Sequence, residues 1–201
     1  MIETVISDLG QVLVHFNNTI FFERMTRYTR RSEKEIRAVT HDNLELLRLF
    51  DLGKIRPEEF YKRAVTALEA DVSYADFCAV YNDVFSLNEP VLAVVRRLKP
   101  AYRLVLLSNT DVLRYSHIMG RFPQLRFFDA FVVSFEMGSM KPDPEIYREA
   151  LRRVDSRPES AVFIDDIGEN VAGAEQIGIR GILFTPQTDL ETELRKAGIR
   201  V

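Results

Sequence analysis

Six polar residues stand just beyond four short apolar runs, and their types suit the capture of an anion. Asp8 follows Val5 and Ile6; Ser108 and Asn109 follow the run 103–107; Lys141 comes a polar turn after the run 130–133; Asp165 and Asp166 follow the run 161–164. Short runs rich in β-branched and other apolar residues read as buried strands. In an open parallel sheet, ligands sit outside the carboxyl ends of the strands. Strands of one sheet would therefore bring all six residues to one edge. Three carboxylates gathered there cannot all stay ionised without counter-charge. Lys141 supplies one positive charge, and a divalent cation would balance the rest. An all-oxygen set with few carboxylates suits Mg²⁺, which keeps several waters and takes substrate phosphate as a further ligand.

Each residue also has a simpler use on its own. Asp8 can start a turn before Gly10, and Asp166 with Glu169 spells a capping box. Ser108 or Asn109 can cap the next helix, Asp143-Pro144 reads as an N-cap with a first-turn proline, and a lone lysine is usually solvated. Other chemistries lack their residues. His15, His41 and His117 are scattered and make no zinc spacing. The chain has no G-x-x-x-x-G-K-[ST], no G-x-G-x-x-G and no G-x-S-x-G.

The elements that must position these residues follow from periodicity. From residue 91 onward, helices over 91–99, 111–120, 144–154 and 171–177 alternate with strands over 103–107, 130–133, 161–164 and 181–184. Strand–helix alternation means a parallel sheet covered on both faces, an α/β Rossmann-like arrangement. Between about His15 and Pro90 the apolar residues instead recur every three or four positions, as in Phe21, Phe22, Met25 and Tyr28, or Phe60, Ala64, Val65 and Leu68. That is helix after helix with no strand, broken at 30–32, 53–57 and 71–73. Ser32 with Glu35 forms a capping box, and Pro57 opens the next helix. The aromatic stripes read as packing faces. The expected organisation is a core of residues 1–14 and 91–201 with an all-α cap, 15–90, inserted after the first strand.

The 201 residues carry a formal net charge of −3 with acids and bases intermixed, which favours neither nucleic acid nor an anionic membrane as partner. No leader pattern or long apolar run is visible. The single Cys78 excludes an internal disulfide, reads as a core hydrophobe and fits a reducing compartment; the expected location is the cytoplasm.

Four segments, I-S-D-L-G-Q-V-L-V, L-L-S-N-T, S-M-K-P-D-P-E-I-Y and V-F-I-D-D-I-G-E-N-V-A-G-A, occur in that order across the chain. In them the chain resembles the haloacid dehalogenase superfamily, in the branch with a helical cap after strand one. The resemblance implies that Asp8 is a nucleophile forming an aspartyl-phosphate. Ser108 and the Asn109 backbone would bind the phosphoryl oxygens, and Lys141 would steady both nucleophile and phosphate. It also implies Mg²⁺ held by Asp8, the Gly10 carbonyl, Asp165 and Asp166, with Asn170 orienting the second aspartate. Phosphatases of this superfamily mostly read D-x-D, and the second Asp handles the proton of the leaving alcohol. Here that position is Gly10. General acid–base help is worth roughly 10² to 10⁴ in rate, so esters with good leaving groups are favoured. The D-L-G-x-V-L form is similar to a glucose-1-phosphate phosphatase-like subgroup. The expectation is a Mg²⁺-dependent phosphatase of small phosphorylated metabolites, glucose 1-phosphate leading. A 2-haloacid dehalogenase, a phosphomutase and a non-catalytic binding protein of the same fold are the alternatives. His15 is a candidate proton source, the turn at Phe16, Asn17 and Asn18 a candidate specificity element, and Arg24, Arg48 and Lys54 read as solvated.

Overall fold

The computed structural model describes all 201 residues. In chain order the elements are β1 (Thr4–Ser7), β2 (Val14–Phe16), α1 (Asn18–Met25), α2 (Glu33–Asp42), α3 (Leu44–Asp51), α4 (Pro57–Leu68), α5 (Tyr74–Asn82), β3 (Phe85–Leu87) and α6 (Glu89–Arg97). Then come β4 (Arg103–Ser108), α7 (Val112–Arg121), β5 (Ala130–Val133), α8 (Ser134–Met137), α9 (Pro144–Arg152), β6 (Ala161–Asp165), α10 (Gly168–Gln176), β7 (Arg180–Leu183) and α11 (Leu190–Lys196).

Five strands form a parallel sheet in the order β5-β4-β1-β6-β7. Alternate side chains along a strand face opposite sides, and both sides here are apolar. Val5, Leu104, Leu106, Val162 and Ile164 pack into one cluster with Leu92 and Val95 of α6, Ile118 of α7 and Leu194 of α11. Their strand neighbours Ile6, Val105, Leu107 and Phe163 pack into another with Ile146 and Tyr147 of α9 and Ala174 of α10. Burial on both faces is why these strands read as continuous apolar runs. The register sets Ser7 opposite Leu106 and Ile164, so the chain leaves β1 at the middle of the sheet's carboxyl edge.

Helices α1 to α5 pack around their own cluster, with Phe50 and Phe60 stacked at 4.2 Å and Phe77 and Tyr81 at 5.7 Å. The Ser32–Glu35 capping box is present, and Pro57 opens α4. The region is not purely helical. Strands β2 and β3 pair antiparallel, Val14 with Leu87 and Phe16 with Phe85, tying the entry of the helical segment to its exit. Three-residue strands are too short to show a period of two, and the expectation of helix only is corrected here. A further break falls at Asn43, whose side chain donates to the Val39 carbonyl at 2.8 Å and ends α2. Cys78 is half-buried at the edge of the aromatic cluster.

Two contacts seat the helical segment on the sheet side. Tyr81 donates its hydroxyl to Asp111 at 2.8 Å, while the Arg114 guanidinium lies 4.3 Å over the Tyr81 ring and reaches Asn18 at 3.3 Å. At the other end, Gly53 has φ +64°, and a Cβ there would sit 2.1 Å from the Phe135 carbonyl oxygen. Gly198 shares the positive φ, at +89°, but has open space around it. Gly53→Ala is therefore expected to lose clearly more stability than Gly198→Ala, whose cost should be only the left-handed strain of about 1–2 kcal/mol. Urea unfolding of the two variants measures this; equal losses would mean that the Phe135 contact carries nothing.

Candidate active site

Asp8 leaves β1 with its N–H donating to the Ile164 carbonyl at 2.9 Å. Its Oδ1 accepts from Lys141 Nζ at 2.6 Å. The same Nζ donates to Asp165 Oδ2 at 2.6 Å and to the Leu107 carbonyl at 3.3 Å. An ammonium has three protons to donate, and all three find oxygen. Asp165 is closed in from its other side, where Oδ1 accepts from the Ile167 N–H at 2.8 Å and Asn170 Nδ2 at 3.0 Å. Asn170 is held in turn by the Tyr147 hydroxyl, which donates to its carbonyl at 2.7 Å.

The loops that carry these groups are clamped to each other. Asn109 Nδ2 donates to the Lys141 carbonyl at 2.9 Å, and the Lys141 N–H donates to Asn109 Oδ1 at 2.8 Å. One residue on, the Thr110 N–H donates to Ser134 Oγ at 2.9 Å, and that hydroxyl donates back to the Thr110 carbonyl at 3.1 Å. The Asn109 side chain thus faces the Lys141 backbone. Ser108, buried at the end of β4, keeps its hydroxyl out of both clamps. Thr110 and Ser134 escaped the sequence reading, although a small hydroxyl residue directly after a buried strand is a usable signal.

The structure brings Asp8, Lys141 and the acidic pair together as expected. Carboxylate oxygens of Asp8, Asp165 and Asp166 lie within 4.8 Å of one another. The two aspartates differ: Asp165 is fully buried and spent on Lys141, Ile167 and Asn170, whereas Asp166 is half-exposed and outside that network. The Asp166–Glu169 capping box does not form, because α10 starts at Gly168 with Ile167 as its cap. At Gly10 a Cβ would lie 3.3 Å from Phe16 Cε1 and 3.9 Å from Asp8 Oδ2. The Phe16 ring thus crowds the place of a side chain at that position. His15 is exposed and lines one surface cavity with Gln11 and Asp166, whereas Arg24 pairs with Asp83 at 2.7 Å and Arg48 with Glu45 at 3.6 Å, outside the cluster.

A family model described as haloacid dehalogenase-like hydrolase matches residues 2–178. The chain belongs to that family. As a haloacid dehalogenase-like hydrolase it is similar to the sesquiterpene phosphatase astK of Aspergillus oryzae, 24% identical over 198 residues, covering 96% of this chain and 95% of that protein. It is 34% identical over 103 residues to a glyceraldehyde 3-phosphate phosphatase of Methanothermobacter thermautotrophicus, covering 50% of this chain but only 46% of that one. Against the drimenol cyclase drtB of Aspergillus calidoustus it spans just 36% of the relative's length. Among solved structures, a family enzyme from Bacteroides thetaiotaomicron superposes with a TM-score of 0.86 at 24% identity, over 96% of this chain and 98% of that one. It shares the fold.

The hydrolase site carries more negative than positive charge. Burial, helped by Asp165 and opposed by Lys141, raises the Asp8 carboxyl to about 7. Burial and then Asp165 raise Asp166. Burial disfavours the Lys141 ammonium, but Asp8 and Asp165 outweigh it and hold its pKa above the usual lysine range. An oxygen-donor set with this surplus, half-open through Asp166, fits a hard divalent cation. Without one, linkage has a definite sign. An unfolded aspartate releases its proton near 4, while folded Asp8 keeps it to about 7. The folded state binds the extra proton across that window, so its stability falls as pH rises through it and stays lower above it. Urea unfolding in EDTA is expected to show this fall in the wild-type protein and a smaller one in Asp8→Asn; equal slopes would remove Asp8 from the account.

Proposed function

We propose that this hydrolase is a Mg²⁺-dependent phosphomonoesterase that works through a covalent phosphoryl group on Asp8. The observation that supports this most is the ion pair of Lys141 with Asp8 and Asp165, which fixes a carboxylate at the sheet's open edge beside Ser108. Phosphoryl transfer needs positioning and charge neutralisation above all. Asp8 attacks phosphorus through its free carboxylate oxygen, and the leaving alkoxide departs in line. The Ser108 hydroxyl and the Asn109 N–H bind the transferred oxygens. Lys141 offsets their charge while Asn109 and Asp165 hold it in place. Water then hydrolyses the acyl phosphate and returns Asp8. Mg²⁺ would be held by Asp8, the Gly10 carbonyl and Asp166, with Asp165 behind them, and would neutralise and orient the phosphoryl oxygens. The Bacteroides family enzyme has also been solved with magnesium and inorganic phosphate, which supports the assignment.

The substrates are small phosphorylated metabolites. Two relatives bear names that specify a triose phosphate and a sesquiterpene, so leaving groups differ widely in this family. Gly10 offers no proton to the leaving oxygen, which favours acidic alcohols, aryl or anomeric, and glucose 1-phosphate is the carbohydrate candidate.

The assay is release of p-nitrophenol from its phosphate. Activity is expected to need Mg²⁺, to vanish with EDTA, and to fall by at least about 10³ in Asp8→Asn, as for loss of a group that acts as a unit with its neighbours. Full activity in Asp8→Asn would overturn the nucleophile. The two aspartates should also separate. Asp166→Asn is expected to raise the Mg²⁺ concentration needed for activity, with little change in melting temperature. Asp165→Asn is expected to lower stability by about 3–5 kcal/mol, because it strips a partner from buried Lys141. Chemical unfolding with a Mg²⁺ titration checks both.

A further inference from the structure

The five helices α1 to α5 do not close on themselves. They surround a cavity of about 90 Å³, and eleven of its fifteen lining residues are apolar. Phe21, Phe60 and Phe77 face it with Leu46 and Leu68, and Ala64 and Ala67 of α4 leave one wall thin. A packed core has few voids larger than a water molecule. An apolar void stays dry and takes apolar ligands. The aromatic stripes read from the sequence as packing faces therefore also line an open space.

Four polar residues, Asn18, Thr40, Asn43 and Arg114, interrupt the apolar lining. Two of them adjoin the reaction edge along the chain: Asn18 opens α1 directly after the β2 ribbon, and Arg114 lies in the first turn of α7, after the loop of Ser108 and Asn109. The Arg114 guanidinium has the Asp111 carboxylate beside it, Oδ2 at 3.9 Å from its Nε, and that buried Nε has no hydrogen-bond partner. No residue of the Asp8–Lys141–Asp165 cluster lines the cavity. The negative part of a ligand thus belongs at the sheet edge and the uncharged part in the helices.

We infer that the cavity receives the hydrocarbon portion of the substrate's leaving group, so that the preferred esters are phosphates of apolar alcohols or phenols. This rests on the phosphatase reading above and adds the substrate class. The chain of the leaving group passes Asn18 and Arg114, which meet at 3.3 Å, and each methylene buried beyond them gains the ordinary hydrophobic increment.

A series of para-alkylphenyl phosphates tests this, because the phenolic oxygen stays the same while the chain grows. In Mg²⁺ buffer, kcat/KM is expected to rise about fourfold per methylene from phenyl to para-butylphenyl phosphate. Ala64→Phe and, separately, Ala67→Leu are expected to flatten that rise, each checked for folding by its melting temperature. In EDTA, para-butylphenol is expected to raise the melting temperature of the wild-type protein more than phenol does, independently of turnover. A flat series with phenyl phosphate still hydrolysed overturns the cavity assignment and leaves the phosphatase standing. A rise that both variants leave intact also overturns it, since the chain then lies elsewhere. No turnover of any ester, phenyl phosphate included, overturns the phosphatase itself.

Discussion

Lys141 carries a full charge at 3% exposure, with carboxylate oxygens of Asp8 and Asp165 each 2.6 Å from its Nζ. Burying an ammonium costs several kcal/mol unless its protons are all taken up, and the site's architecture serves that need. The Leu107 carbonyl takes the third proton. Asn109 grips the Lys141 backbone from both sides. Asn170 and the Ile167 N–H hold Asp165 still, and Tyr147 holds Asn170. The lysine is thereby fixed where an incoming phosphoryl group needs positive charge, before any ligand arrives. Preorganised charge of this kind needs no rearrangement at the moment of reaction.

The sheet makes the arrangement possible. Asp8 and Lys141 are 133 positions apart in the chain, Lys141 and Asp165 only 24. They meet because β5, β4, β1 and β6 are adjacent and in parallel register, so the ends of the strands share an edge. Apolar packing on both faces pins that register, since a slip of one residue would turn each strand's side chains to the wrong cluster. The stability of the two cores and the position of the polar edge are one constraint.

Much of this was legible in the residues. Val5-Ile6, 103–107 and 161–164 announce themselves by length and branching, and the polar residue after each run marks the edge. The limits have physical causes too. The β2–β3 ribbon is three residues a side, below the length at which alternation is detectable. Asp165 and Asp166 are chemically identical in sequence, and only burial separates the one that holds Lys141 from the one open to a cation. The Thr110–Ser134 clamp pairs a backbone with a hydroxyl, and only Ser134, the hydroxyl residue directly after β5, marks it in the sequence. The cavity is invisible for a simpler reason: Phe21 and Phe60 have the same helical spacing whether they face a neighbour or a void.

Phe16 joins the two halves of the functional argument. Its ring edge lies 3.3 Å from where a Cβ at Gly10 would stand, and it packs edge-on against Phe85 across the ribbon. The ring takes the space beside Asp8 that a side chain at position 10 would enter. A glycine alone would leave that space to water; a glycine beneath an aromatic ring makes it apolar. In the proposed reaction the departing oxygen leaves with its own charge, which alcohols and phenols of low pKa tolerate. Asn18 opens α1 two residues beyond Phe16 and lines the cavity among the helices. In the proposed reaction, the segment beside the missing acid is thus continuous in sequence with the lining inferred to hold the hydrocarbon, so leaving-group acidity and leaving-group hydrophobicity become two demands of one short segment, Phe16 to Asn18.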